Sequence, residues 1–164
     1  MKKTFTLSVL AILVALFSVS KSYSQAYEKG DKLLNLGLGL NSGTNIYGVL
    51  DYGIADKISV GAGVWYQSFT ISGFGIFPST TVSNSTLLLR GSYHFGEIAN
   101  LDKLDLYGGA NLGMGLSTGS SAIFGLHLGG RYYITEKIGI NLELPFYLNT
   151  GGGAYSRVGA TYKF

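Results

Sequence analysis

Apolar and polar positions alternate with a period of two along most of the chain. Leu34, Leu36, Leu38 and Leu40 are separated by Asn35, Gly37 and Gly39. Strict alternation over this length predicts a β-strand with one apolar face. The pattern recurs in seven further segments: about 46–54, 58–69, 84–95, 104–117, 122–134, 138–148 and 154–164. Long charge-free runs such as Ile58–Leu89 could suggest transmembrane helices. They are rich in Gly, Ser and Thr, contain Pro78, and keep the two-residue period. Each interior Gly costs a helix about 1 kcal/mol, so strands are the expected state.

The connections sort into two kinds. The turns at 55–57, 96–103 and 135–137 carry charge, whereas those at 41–45, 70–82, 118–121 and 149–153 carry none. Alternate turns of an up-and-down barrel lie at opposite ends. One rim is therefore expected to be charged and the other neutral. The sequence around Tyr52–Val60 also resembles that around Tyr132–Ile140. Similar tight turns selecting similar residues account for this more simply than a duplicated half-barrel.

A lipocalin-like soluble barrel would alternate too, so the second face decides orientation. It holds Gly37, Gly39, Gly61, Gly63, Gly109, Gly113, Gly115, Gly125 and Gly129, with Tyr47, Trp65, Tyr107, Tyr133, Tyr147 and Tyr155. A solvent-facing surface should be dense in Lys and Glu. This one suits a narrow lumen, where Gly makes room for aromatic rings. The apolar face has Leu, Val, Ile and Ala in its middle and aromatics near its ends: Tyr52, Tyr93, Phe95, Tyr132, Tyr162 and Phe164 at one rim, Tyr66, Phe124 and Phe146 towards the other. Such girdles mark membrane interfaces. A strand of about ten residues, tilted about 40°, covers about 25 Å of height. The expected fold is an all-β, eight-stranded, antiparallel up-and-down transmembrane barrel.

The N-terminus supports export. Met1, Lys2 and Lys3 precede an apolar stretch, Leu7–Val19, that is short for a membrane span, and Ser22-Tyr23-Ser24 suits cleavage before Gln25. Residues 1–24 are thus expected to be a signal peptide and 25–164 the barrel domain. Removing the leader takes away Lys2, Lys3 and Lys21 and leaves nine charges of each sign. The excess of basic residues therefore belongs to the leader and gives no reason to expect a nucleic-acid partner. Charged residues make up only 13% of the chain, against roughly 25% in soluble globular proteins. The absence of Cys excludes disulfides and a lipoprotein anchor.

The C-terminal run Val158-Gly159-Ala160-Thr161-Tyr162-Lys163-Phe164 alternates and ends on an aromatic. It resembles the signature by which outer-membrane barrels are recognised for assembly. The whole of 25–164 resembles the small eight-stranded barrels of the outer-membrane protein A and X type, and the Ser-Gln cleavage context resembles exported proteins of the Bacteroidetes. The resemblance implies a cell outer membrane location, contact with outer-membrane lipid, engagement of the barrel-assembly machinery through Phe164, and both termini in the periplasm. The charged turns would then be periplasmic and the neutral loops extracellular.

The polar residues expected in the lumen are Arg90, His127, Arg131, Glu143 and Arg157. If the sixth and seventh segments meet at 135–137, Arg131 stands opposite Asn141 and diagonal to Glu143. If the seventh and eighth meet at 149–153, Arg157 is diagonal to Glu143 from the other side. A buried carboxylate needs such partners to stay charged. The cluster reads as a structural plug, or alternatively as a narrow polar path for small solutes. The long connection 70–82 carries Ile71, Phe74, Ile76 and Phe77, an apolar patch that either folds over the barrel mouth or contacts lipid or an extracellular ligand.

A lipid-modifying enzyme would need a nucleophile and base side by side near the outer leaflet. His127 is expected at mid-height and His94 near the charged rim, and neither has an evident Ser and acid partner at the neutral rim. Ser92 and His94 share a face, which alone is a weak signal. No catalytic, cofactor or metal site is expected. The expected role is structural or surface-interacting.

Overall fold

The computed structural model describes residues 27–40, 43–73, 78–96, 103–116, 122–149 and 156–164. The leader lies outside them. Eight strands follow in order: β1 (Lys32–Gly39), β2 (Thr44–Ala55), β3 (Ile58–Ile71), β4 (Thr80–His94), β5 (Leu104–Gly115), β6 (Ala122–Tyr133), β7 (Ile138–Tyr147) and β8 (Arg157–Lys163). Each pairs antiparallel with its neighbours, and β8 pairs with β1 from Leu33↔Lys163 to Gly39↔Arg157, which closes the barrel. Closure leaves no open sheet edge around the barrel wall, the condition for a sheet in lipid.

Orientation follows the alternation. Leu36, Leu38, Leu50, Val64, Leu89, Leu112, Leu128, Ile140 and Leu142 point outward, each with about half its surface exposed. Tyr47, Val49, Trp65, Leu88, Tyr107, Tyr133 and Tyr147 are buried inside. This overturns the soluble alternative, in which the apolar face would line the interior. Tyr155 lies outside the described residues.

Glycine sets how closely the inner surface can be filled. A Cβ at Gly129 would collide with the Tyr107 ring, and one at Gly61 with the Asp51 carboxylate. Both glycines are therefore required by a neighbour that occupies their space. At the β2–β3 turn Lys57 adopts φ 66°, uncommon without glycine. Its backbone is tied at both ends: its N–H donates to Tyr27 O at 3.0 Å and its carbonyl accepts from His94 N at 2.8 Å.

The β3–β4 hairpin is longer than the sequence pattern suggests. The strands run to Ile71 and resume at Thr80, so both ends of the expected loop 70–82 are ladder, paired out to Ile71↔Thr80. The reason is a change of pattern. Up to Tyr66 the outward side is apolar (Val60, Ala62, Val64); beyond it the outward side becomes Ser68 and Thr70, facing Ser83 and Thr81. The inner side inverts in the opposite sense, to Phe69, Ile71 and Val82. Apolar-out alternation stops there, although the strands do not.

Candidate functional site: a lumenal ion-pair chain and a projecting ribbon

Strand parity positions the lumenal groups. On β4, His94, Ser92, Arg90 and Leu88 share the inner face; on β2, Asp51 follows Tyr47 and Val49 inward. These positions build one continuous chain of charge. His94 Nδ1 lies 2.9 Å from an Asp105 oxygen, and Arg131 donates to Asp105 and to Asp51, both at 2.8 Å. Asp51 also receives Arg90 at 2.5 Å, and Arg90 reaches Glu143 at 2.5 Å with its other nitrogen. Glu143 then meets Arg157 at 3.4 Å, and Arg157 donates to Tyr147 Oη at 2.8 Å. Three arginines thus alternate with three carboxylates, and all six are buried.

Neutral groups complete the coordination. Asn35 donates to Asp51 at 2.8 Å and accepts from Arg131 Nε at 3.1 Å. Tyr107 Oη donates to Glu143 at 3.2 Å, and its ring lies 4.0 Å from the Arg131 guanidinium carbon. Separating charges from water is costly, and only paired, hydrogen-bonded geometry offsets that cost. Beyond the chain, towards the neutral loops, an aromatic layer packs in the lumen. Trp65 stacks on Tyr147 with centroids 5.4 Å apart and donates to Asn45 at 2.6 Å. Tyr47, Val49 and Leu88 fill the same layer, and Arg157 lies beneath the Trp65 and Tyr47 rings.

At the charged-turn end the segment before β1 packs against the lumenal groups. Tyr27 is buried and stacks on His94 with centroids 3.8 Å apart. Gly30 N donates to Gly53 O, and Lys29 N to Asp56 at 3.3 Å, so the segment is strapped across the β2–β3 hairpin. Burial pushes the Tyr27 phenol well above its usual pKa.

The expected residues divide as follows. Arg90, Arg131, Glu143 and Arg157 do meet in one network, and Arg131 stands opposite Asn141. Glu143 and Arg157 are directly opposite rather than diagonal. Arg131 bonds Asp51 and Asp105, not Glu143. His127 is buried but joins Ser92 at 2.8 Å instead of the ion chain. The sequence reading missed Asp51 and Asp105, although each sits at inward parity between outward apolar neighbours (Leu50 and Tyr52, Leu104 and Leu106). Of the expected apolar patch, Ile71 is exposed at the hairpin's end, and Phe74, Ile76 and Phe77 lie outside the described residues.

His94 does have a Ser and an acid beside it, at the charged-turn end. Ser59 Oγ lies 3.0 Å from Nε2 and Asp105 2.9 Å from Nδ1. The serine is buried, Tyr27 covers the imidazole, and Asp105 is shared with Arg131. Chemically this arrangement fixes the orientation of the His94 ring.

The second candidate region is the projecting β3–β4 ribbon. Its outer face is a ladder of hydroxyls: Ser83 donates to Ser68 at 2.9 Å, Thr70 and Thr81 are 3.0 Å apart, and Tyr66 donates to Ser83 at 3.3 Å. From Val60 to Leu89 the hairpin holds no charged residue.

No family model and no curated protein matches the chain. Solved structures do. The N-terminal β-barrel domain of OprF from Pseudomonas aeruginosa is similar over 83% of this chain and 98% of its own, with a TM-score of 0.62 at 15% identity. A de novo designed transmembrane β-barrel matches over 85% of this chain and 100% of its own, with a TM-score of 0.60 at 12% identity. The designed protein TMB2.3, solved by solution NMR, matches over 84% and 97%, with a TM-score of 0.57 at 16% identity. At these identities the likeness is one of fold, and the fold is that of an eight-stranded transmembrane β-barrel.

Proposed function

We propose that this chain is an integral outer-membrane barrel with a structural or surface-interaction role and no catalytic activity. The leader directs export and is removed before Gln25, Phe164 engages the assembly machinery, and the outward Leu, Ile and Val side chains contact lipid. The observation that carries the reading is the contrast between an interior filled with paired charges and aromatic rings and an apolar exterior. The ion-pair chain and the Trp65–Tyr147 layer fill the lumen, while the outward face is apolar over its middle with aromatics at its ends. In this reading Tyr66 marks the outer membrane boundary, the hydroxyl ladder stands in water, and Phe69, Ile71 and Val82 offer a contact surface to an extracellular ligand. The burial of Ser59 and the ring stacked on His94 argue against nucleophilic chemistry there.

Membrane fractionation with gel electrophoresis of boiled and unboiled samples tests the location. Outer-membrane enrichment with a heat-dependent mobility shift is expected; recovery in the soluble periplasm without a shift would refute it. Replacing residues 70–82 by a short turn tests the contact surface, and unchanged binding to every tested surface component would count against it. The polar lower lumen supports one further reading, a narrow channel. Steady conductance steps in planar bilayers, altered by Glu143→Ala or Arg131→Ala, would favour it over the sealed plug.

A further inference from the structure

Two inward side chains stand outside the ion-pair chain with polar atoms that no protein group satisfies among the described residues. Asn111 is 1% exposed, and neither its Oδ1 nor its Nδ2 has a hydrogen-bond partner. His127 is 3% exposed; its Nε2 is engaged by Ser92, and its Nδ1 is unpaired. The register makes them neighbours. Asn111 stands opposite Gly125 and His127 opposite Gly109, so they are diagonal across the β5–β6 ladder. Diagonal positions on one face are roughly 7–8 Å apart at the backbone, a separation that a small bridging molecule can span. A glycine faces each of them across the ladder, and the site is bounded by Tyr147 beside Gly125 and by the Gly91–Ser92 backbone beside Gly109.

We propose that Asn111 and His127 form a water-binding pocket in the wall of the lumen. The chemistry selects a neutral ligand that both donates and accepts. Asn111 presents an acceptor oxygen and an amide nitrogen with two N–H donors, and the His127 nitrogen takes whichever role its tautomer leaves open. An ion is disfavoured because the charges nearby are already matched, Arg90 being committed to Asp51 and Glu143. An apolar ligand would leave three buried polar atoms unpaired, each at a desolvation cost that one bridging water removes. Leu88, which pairs with Gly113 one step further along the lumen from Asn111, belongs to the aromatic layer. The inference rests on the fold alone and stands or falls independently of the cellular role.

The test is NMR of the isotope-labelled full-length mature barrel in detergent micelles. Direct cross-relaxation between water and the Asn111 Nδ2 protons is expected in the wild type. It should persist in Ser92→Ala, which removes the hydroxyl bonded to His127 that could relay exchange. Its absence from the wild type, or its loss in Ser92→Ala, would overturn the proposal. A second measurement uses the near-isosteric Asn111→Leu. A hydrated asparagine should make this variant unfold at lower urea concentration than the wild type. A higher midpoint would mean that the amide is buried dry, and would equally overturn the pocket.

Discussion

The two ends of the lumen are filled by opposite chemistry. Towards the charged turns lie Asp51, Arg90, Asp105 and Arg131, held by directed bonds of 2.5–2.8 Å. Towards the neutral loops lie Tyr47, Val49, Trp65, Leu88 and Tyr147, held by packing. Arg157 joins the two, bonding Glu143 on one side and lying under Trp65 on the other. The difference is one of tolerance. A packed layer loses stability in proportion to the atoms removed, whereas an ion chain fails wherever one member leaves another buried and unpaired.

The largest expected effect is therefore in the ionic half. Arg131→Met strips a partner from both Asp51 and Asp105 and should cost about 3–5 kcal/mol, the usual penalty for an uncompensated buried charge. Urea unfolding in lipid vesicles, read by the heat-dependent gel shift, measures it. If Arg131→Met unfolds like wild type, the chain of pairs is not what holds this half.

In the packed half, Leu88→Ala should cost about 2–4 kcal/mol by cavity formation, in the same assay. The two halves also differ in what rescues them: Asp51→Asn should relieve Arg131→Met in part and leave Leu88→Ala unrelieved, which a double-mutant cycle would read.

Removing the strap is smaller still. Tyr27→Ala loses a stacked ring pair and some burial, about 1–3 kcal/mol, and should expose His94 to solvent hydrogen exchange. This closure also has a pH dependence with a defined sign. Burial raises the folded-state phenol pKa of Tyr27, so the stability it contributes is fully present below about pH 10 and declines as pH rises beyond that value. Ultraviolet titration of wild type against Tyr27→Phe should show one phenol ionising later than the exposed ones; loss of an early-titrating phenol would contradict the burial.

The smallest effect belongs to the ribbon. Thr81→Ala removes one exposed hydroxyl contact with Thr70 and should shift stability by no more than about 0.5 kcal/mol. A larger loss would mean that the ribbon is part of the barrel's stability and not an appendage to it.

Much of this was legible because the side-chain period of a strand is two. Parity alone assigns Leu36 outward and Tyr47 inward, and the opposition of Arg131 to Asn141 follows from the short 135–137 turn. It was less informative where a pattern changed meaning. The apolar-out rule holds only within the apolar band, so Thr70 and Thr81 read as loop although they are strand. The offset of Arg157 was wrong by the length of a longer connection: β8 is placed as much by its pairing with β1 as by the turn that precedes it.

By itself the sequence determined the number of strands, the face each presents, and the aromatic filling of the interior, because these are local consequences of alternation and composition. The tertiary structure decided which lumenal groups meet. Asn35 on β1, Asp51 on β2 and Arg131 on β6 come together across the barrel. No spacing along the chain encodes that contact. It depends on the circumference and register of a closed sheet, which exist only once β1 and β8 have joined.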